Sequence, residues 1–294
     1  MMPLEQIDAF LAGPALVAAL ILLGLAIGVL TGLFGVGGAF LLNPILMVAV
    51  GIHEPLVIGS SLSFTIGASA MGAGRHMRSG NADVRAMIII GLGAVLGAVA
   101  GTDALNWFAK TVEPDILGAA VRGLYFLILV LAAWLLVRNT QPHRTGRSPL
   151  QRLPLPPRVD LRSAGLPGVS VPGLLAAGLV IGLATGMLGI GGGVLFMPLL
   201  LIVVGMSPHK AVGTSLGAVF LGALAGTIRH GLYGNVSLIV AMCLLAGSSV
   251  GVQIGAAICE RMHAARLKRY FAGIVLLTAT MVAADLIRML VGFM

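Results

Sequence analysis

The chain has 294 residues, 58% of them apolar, with a mean hydropathy of +1.05 and only 10% charged. A soluble domain carries roughly 25% charged residues, and several apolar runs here exceed the roughly 20 residues that cross a hydrocarbon core, which excludes an ordinary soluble enzyme or binding module. The net charge of +8 and pI of about 10.5 would suggest nucleic acid in a soluble protein. Here the bases sit between apolar segments, where they set membrane orientation, so no nucleic-acid partner is expected.

In chain order, apolar segments are expected at 8–31, 37–51, 56–77, 84–105 and 116–137, then at 171–187, 191–206, 211–230, 236–258 and 268–292. Residues 1–11 carry Glu5 and Asp8 and no Lys or Arg. That is the wrong charge for a cleaved signal peptide, so the first apolar run is expected to remain as a helix. The segments at 37–51 and 191–206 are short. At about 1.5 Å per residue the former covers only about 22 Å, less than a core of about 30 Å, so each is read as re-entrant or as part of a broken helix. Arg138 to Ser170, rich in Pro, Arg and Ser, reads as a solvated linker. Cys243 and Cys259 have no metal or disulfide spacing and read as packing residues.

The chain repeats itself. Residues 24–81 align without a gap to 178–235 at an offset of 154, with 22 of 58 positions identical. The matches include Pro44 with Pro198, Ser61 with Ser215, Arg75-His76 with Arg229-His230 and Gly80-Asn81 with Gly234-Asn235. The offset continues weakly through Gly93/Gly247, Gly97/Gly251 and Gly101/Gly255. The organisation is therefore a first repeat (1–137), a basic linker (138–170) and a second repeat (171–294).

Two topologies compete. With five passes per repeat, loops 75–85, 138–170, 207–210 and 259–269 share one side and hold fourteen Lys/Arg against two, Lys110 and Arg229, on the other. With four passes per repeat the split falls to ten against six. The positive-inside bias favours five plus five, with the linker cytoplasmic. An odd number of passes makes the second repeat enter from the opposite side, an inverted-repeat pattern common in secondary transporters. The fold expected is all-α and polytopic, with two inverted repeats of about five segments and broken or short helices at the glycine-rich stretches.

Those stretches carry the sharpest signal: Gly28-x-x-Thr31-Gly32-Leu33-Phe34-Gly35-Val36-Gly37-Gly38-Ala39 before Pro44, and Gly182-x-x-Thr185-Gly186-Met187-Leu188-Gly189-Ile190-Gly191-Gly192-Gly193 before Pro198. Glycines at this density break a helix and admit close backbone approach. Inside a membrane, broken backbone is tolerated only where it is buried or lines a cavity. A helix restarting there would offer free N–H groups to an anion; the plainer alternative is close packing through small residues. Rossmann and phosphate-loop readings fail, because no strand precedes and no Gly-Lys-Ser/Thr follows.

Ser60 and Ser61 in Gly59-Ser60-Ser61-Leu62, and Thr214 and Ser215 in Gly213-Thr214-Ser215-Leu216, could donate to an oxyanion or simply cap a helix. Arg75 and Arg229 could attract an anion or snorkel at the interface; His76 and His230 could carry protons. Asn43, and likewise Gln253, would line a path or bond between helices. Arg122, Asp285 and Arg288 fall within apolar segments. Asp285 and Arg288 are spaced to pair along one helix face, and Arg122 can snorkel or meet Glu113 or Asp115; none of the three recurs in the other repeat. No His-Glu-x-x-His and no Gly-x-Ser-x-Gly occurs, which leaves nothing for an intramembrane hydrolase to use.

With its doubled glycine motif, the Gly-Thr-Ser-Leu stretch and the two Arg-His…Gly-Asn turns, the chain resembles the sulfite exporter TauE/SafE family of membrane permeases, over essentially its whole length. The resemblance implies a bacterial inner-membrane carrier of sulfite, sulfoacetate or other organosulfonates, with neither cofactor nor metal. The positions taken as anion contacts are Gly35, Gly37, Gly38, Asn43, Ser60, Ser61, Gly189, Gly191, Gly192, Gly193, Thr214, Ser215, Arg75 and Arg229. Ala39, where the second repeat has Gly193, and Asn43, opposite Met197, break the symmetry, so the two half-sites are expected to contribute unequally. The partners expected are a small anionic solute and lipid, with a coupling proton and a homo-oligomeric assembly left open. A carrier of another small anion, or a membrane scaffold or sensor, is the alternative.

Overall fold

A computed structural model describes residues 13–47, 54–138, 148–153 and 155–292. In chain order the helices are α1 (Pro14–Phe34), α2 (Ala39–Ile45), α3 (Glu54–Arg78), α4 (Val84–Thr111), α5 (Pro114–Arg138), α6 (Pro149–Arg152), α7 (Val171–Leu188), α8 (Gly193–Pro198), α9 (Pro208–Leu232), α10 (Leu238–Arg261) and α11 (Ala264–Gly292). α8 runs on as a wider π-helical stretch, Leu199–Val204. Among the described residues, eight helices are long and apolar enough to cross a membrane, and α2 and α8 are not among them. The outer faces are aliphatic, with Leu22, Leu96, Leu127, Met242 and Leu277 all exposed, the reverse of a soluble protein.

Helix boundaries follow local chemistry. Proline opens α1, α7 and α9 within the first two positions, where its missing N–H costs nothing. Asp83 caps α4 by accepting from Ala86 N, and Ser237 caps α10 by accepting from Val240 N, so the cap recurs at the offset of 154.

That offset governs the packing as well. Gly24, Gly28 and Gly32 of α1 lie against Leu244, Ser248 and Val252 of α10; Gly247, Gly251 and Gly255 of α10 lie against Ile21, Leu25 and Val29. In the same way Gly178, Gly182 and Gly186 of α7 meet Ile90, Ala94 and Ala98 of α4, while Gly93, Gly97 and Gly101 meet Leu175, Leu179 and Leu183. At all twelve positions a methyl group would fall 1.8–2.7 Å from the partner's backbone. Each of these two parallel seams joins a helix of one repeat to a helix of the other, and each is built on small residues four apart.

Between the seams stand α3 and α9, counterparts in the two repeats. A Cβ on Gly59 would lie 3.1 Å from His230 Cβ, and one on Gly213 2.8 Å from His76 Cβ, so the start of each helix lies beside the end of the other. The counterparts run antiparallel. α5 and α11 pack on each other outside this core.

The basic loops gather at one end. Lys210 donates to Gly80 O at 2.6 Å, His209 Nε2 lies 3.1 and 3.0 Å from Cys259 O and Met262 O, and Arg85 donates to Asp160 O at 3.0 Å. Here the structure departs from the solvated linker expected at 138–170. Its described part, 148–170, holds α6 and an antiparallel hairpin of β1 (Arg158–Leu161) and β2 (Leu166–Ser170). Asp83 Oδ2 accepts from Ala164 N at 3.2 Å, and Leu150, Leu161 and Val169 are buried. Alternating burial along β2 is the signal the Pro and Arg content obscured; residues 139–147 lie outside the described residues.

Candidate functional site

Both glycine stretches are breaks. α1 ends in Gly35 at φ +74°, and α2 restarts after Gly37 and Gly38 at +75° and +81°. α7 ends in Gly189 at +66°, and α8 restarts after Gly191 and Gly192 at +72° and +71°. These left-handed angles cost an L-residue about 1–2 kcal/mol each, which fixes glycine at these sites. Gly28, Gly32, Gly182 and Gly186 have the packing role described above, so the motif divides into a packing half and a breaking half.

The two breaks meet in the buried centre. A Cβ on Gly193 would lie 2.2 Å from Val36 Cα, and one on Gly37 would lie 3.8 Å from Gly191 O. Residues 35–39 and 188–194 are all buried. The first N–H groups of α2 and α8 have no carbonyl one turn ahead of them. The Ala39/Gly193 asymmetry has a steric reason: backbone stands where a Gly193 methyl would go, whereas the Ala39 methyl has room, 3.3 Å from the Cβ position of Gly191.

Side chains of the opposite repeat hold the carbonyls freed at each break. Ser215 Oγ donates to Gly35 O at 2.7 Å. Asn43 Nδ2 lies 3.1 and 3.0 Å from Leu188 O and Gly189 O and donates to them; its Oδ1 is buried without a partner. Thr65, which the sequence reading passed over, sits mid-way along α3 and donates to Gly37 O at 3.0 Å. It has Val219 at the matching position of α9, so the repeat gave no signal for it.

The remaining sequence-selected residues lie elsewhere. Ser60 and Thr214 stand well inside α3 and α9, not at helix starts. Ser60 Oγ accepts from Ser237 N at 2.8 Å and Thr214 Oγ1 from Asp83 N at 2.9 Å, bracing the turns into α10 and α4. Ser61 donates to Ile58 O of its own helix. His76 Nε2 donates to Gly32 O and His230 Nε2 to Gly186 O, both at 2.9 Å, while the other ring nitrogen of each is buried without a partner.

Arg75 and Arg229 lie away from the breaks, each against a carboxylate. Arg75 Nε lies 3.2 Å from Glu260 Oε1, which also accepts from Ser79. Arg229 grips Asp103 with two bonds of 2.5 and 3.0 Å, and Tyr233 donates to the same carboxylate. Ser79 and Tyr233 are counterparts at the offset of 154. The two clusters therefore form matched clasps, α3 to α10 and α9 to α4, at opposite ends of the bundle. Arg122 meets neither Glu113 nor Asp115 in this clasp-like fashion but pairs with Asp285 of α11 at 2.7 Å.

An aliphatic-faced bundle of long apolar helices, with two half-length helices broken at its buried centre, defines a polytopic α-helical membrane protein. The chain belongs to the TauE/SafE family: the family described as Sulfite exporter TauE/SafE matches residues 20–282. It is 28% identical over 261 residues to the probable membrane transporter protein YjnA of Bacillus subtilis, covering 88% of this chain and 96% of that one. It is 25% identical to the probable membrane transporter protein YunE of the same organism, over 83% and 89% of the two chains. A probable membrane transporter protein of Xylella fastidiosa is 27% identical, over 86% and 89%. No solved structure matches the chain.

Proposed function

We propose that this chain is a secondary carrier of small sulfur-containing oxyanions, sulfite, sulfoacetate or related organosulfonates, across the bacterial inner membrane. The family match and the names of the relatives support membrane transport rather than catalysis. The sulfur oxyanion is the substrate class that the family description supports.

One observation carries the reading: two broken segments from antiparallel halves face each other at the buried centre, Val36 backbone against Gly193. Irregular backbone at that depth suits a solute path. In the arrangement described here the meeting point is filled. Transport then requires the halves to part there, so that N–H groups at the breaks, with Asn43, Thr65 and Ser215, replace part of the anion's hydration. Neutral dipoles suit a passing solute, because the anion must also leave. Alternating access follows from rocking one half on the other, with the Arg75–Glu260 and Arg229–Asp103 clasps closing opposite ends. The end that gathers the basic loops and the hairpin is cytoplasmic by the positive-inside bias.

The test is flux of labelled sulfite and sulfoacetate into vesicles containing the purified protein, with and without a proton gradient. Gly191→Leu should abolish flux while leaving membrane insertion intact. Wild-type flux in that variant removes the glycine breaks as the site, and no flux of either anion by the wild-type protein removes the sulfur assignment.

A further inference from the structure

Arg122 and Asp285 form an ion pair within the apolar spans Ile116–Arg138 and Ala264–Arg288, their side chains 15% and 22% exposed. Arg122 lies about 12 Å along α5 from its start. Ionisable groups at such depth are costly and call for a role. A purely structural pair is a weak explanation, because well-packed apolar residues of similar volume hold helices together as well or better.

Three features single this pair out. It borders a crevice with about 280 Å³ of empty space, lined by Pro44 beyond α2, by Val121 and Tyr125 of α5 and by Val282 of α11. That volume suits a small anion rather than a drug-sized molecule. The crevice is tied to the first break: Pro44 has no N–H to offer Phe40 O, and the Tyr125 hydroxyl donates to that carbonyl instead at 2.8 Å. Finally, the pair belongs to the non-repeating part of the chain, whereas the scaffold around it is repeated.

We infer that this crevice is an anion subsite, where Arg122 receives the sulfonate or carboxylate of the cargo and Asp285 is the internal anion that the cargo displaces. The inference rests on the anion-carrier reading above. A guanidinium presents paired donors in a fork that matches an oxyanion, and Asp285 holds that ligand position when cargo is absent. Arg288, one turn along α11, is spaced to take the displaced carboxylate, so no bare charge is left. Cargo at Arg122 also presses on Tyr125 and thereby on α2, which links occupancy of the crevice to the break.

The full-length protein in lipid nanodiscs is melted against rising sulfite, sulfoacetate and acetate, and the same variants are assayed for flux. Asp285→Asn removes the competitor and should lower the half-effective anion concentration at least about tenfold. Arg122→Met combined with Asp285→Leu should insert and melt cooperatively, yet lose both the anion response and flux. An unchanged or raised half-effective concentration in Asp285→Asn overturns the subsite, and Asp285→Asn decides the question alone if the double variant fails to fold. A double variant that responds to sulfite like wild type also overturns the subsite, while leaving the sulfur assignment standing. A wild-type response to acetate alone, lost in the double variant, supports the subsite and removes the sulfur assignment. No response of the wild-type protein to any of the three anions overturns both.

Discussion

Gly193→Ala isolates the contact between the two breaks. Gly193 has an ordinary helical backbone angle, unlike its neighbours Gly191 and Gly192, so alanine there adds no conformational strain. It adds one methyl, which would lie 2.2, 2.4 and 2.4 Å from Val36 Cα, C and O. Carbon contacts sit at roughly 3.5–4.0 Å, so the backbone must retreat by more than ~1 Å, and backbone cannot rotate away as a side chain can. Overpacking of this kind costs about 1–3 kcal/mol, or about a 5- to 150-fold loss of the closed arrangement relative to any state in which the halves part there. The assay is maleimide labelling of Val36→Cys in a background lacking Cys243 and Cys259. Val36 is fully buried, so the parent should label slowly and the Gly193→Ala protein faster, with a lower melting temperature. The reverse replacement, Ala39→Gly, should do neither, since that methyl already has room. Equal labelling and equal melting in parent and Gly193→Ala would refute the reasoning that the halves seal through this backbone contact.

Other expectations follow from single bonds. Asn43→Leu leaves Leu188 O and Gly189 O buried without their side-chain donor and should lower stability by about 1–3 kcal/mol, read as melting in detergent. Tyr125→Phe removes only the hydroxyl from Phe40 O and should cost a similar ~1–3 kcal/mol; no change in melting would show that the carbonyl freed by Pro44 has another donor. Asp103→Asn and Glu260→Gln each loosen one clasp. Each should speed labelling of engineered cysteines at its own end of the bundle, with the swap Asp103→Arg plus Arg229→Asp restoring the first. Acceleration at both ends by either variant would show that the clasps do not work separately.

What could be read from the chain alone depended on repetition. The doubled glycines, the prolines behind them and the Arg-His…Gly-Asn turns recur at one offset, and the same offset relates the packing seams, the caps at Asp83 and Ser237, and the histidine bonds to Gly32 and Gly186. The two short segments were legible because length in a membrane is a hard constraint. Partner choice was not legible. Nothing local to Arg75 or Arg229 announces Glu260 or Asp103, which lie 185 and 126 residues away, and Arg122 passes over its near carboxylates for one 163 residues distant. Ser60 and Thr214 looked like helix caps because sequence shows the residue type but not that α3 and α9 begin more than a turn earlier. The hairpin at 158–170 was hidden by composition, since its stability comes from docking on the bundle and not from a strongly alternating pattern.

The distribution of symmetry itself bears on mechanism. Groups that hold the scaffold occur twice: the glycine seams, the serine and threonine braces, the histidines, the clasps. Polar groups near the breaks occur once. Asn43 faces Met197 across the repeat, Thr65 faces Val219, Ala39 faces Gly193, and Tyr125, Arg122 and Asp285 belong to one crevice beside α2. A structure needing only stability would gain nothing from confining buried polar groups to one half, because each carries a desolvation cost that must be met by a partner. A carrier needs its two end states to interconvert, which near-equivalent halves provide, and it needs a cargo site, which a single set of polar groups provides. The first break, with Asn43, Thr65 and the Tyr125 link to Phe40, is therefore where cargo chemistry concentrates, while the second break, closed by Val36 against Gly193, acts as the apolar stop it works against.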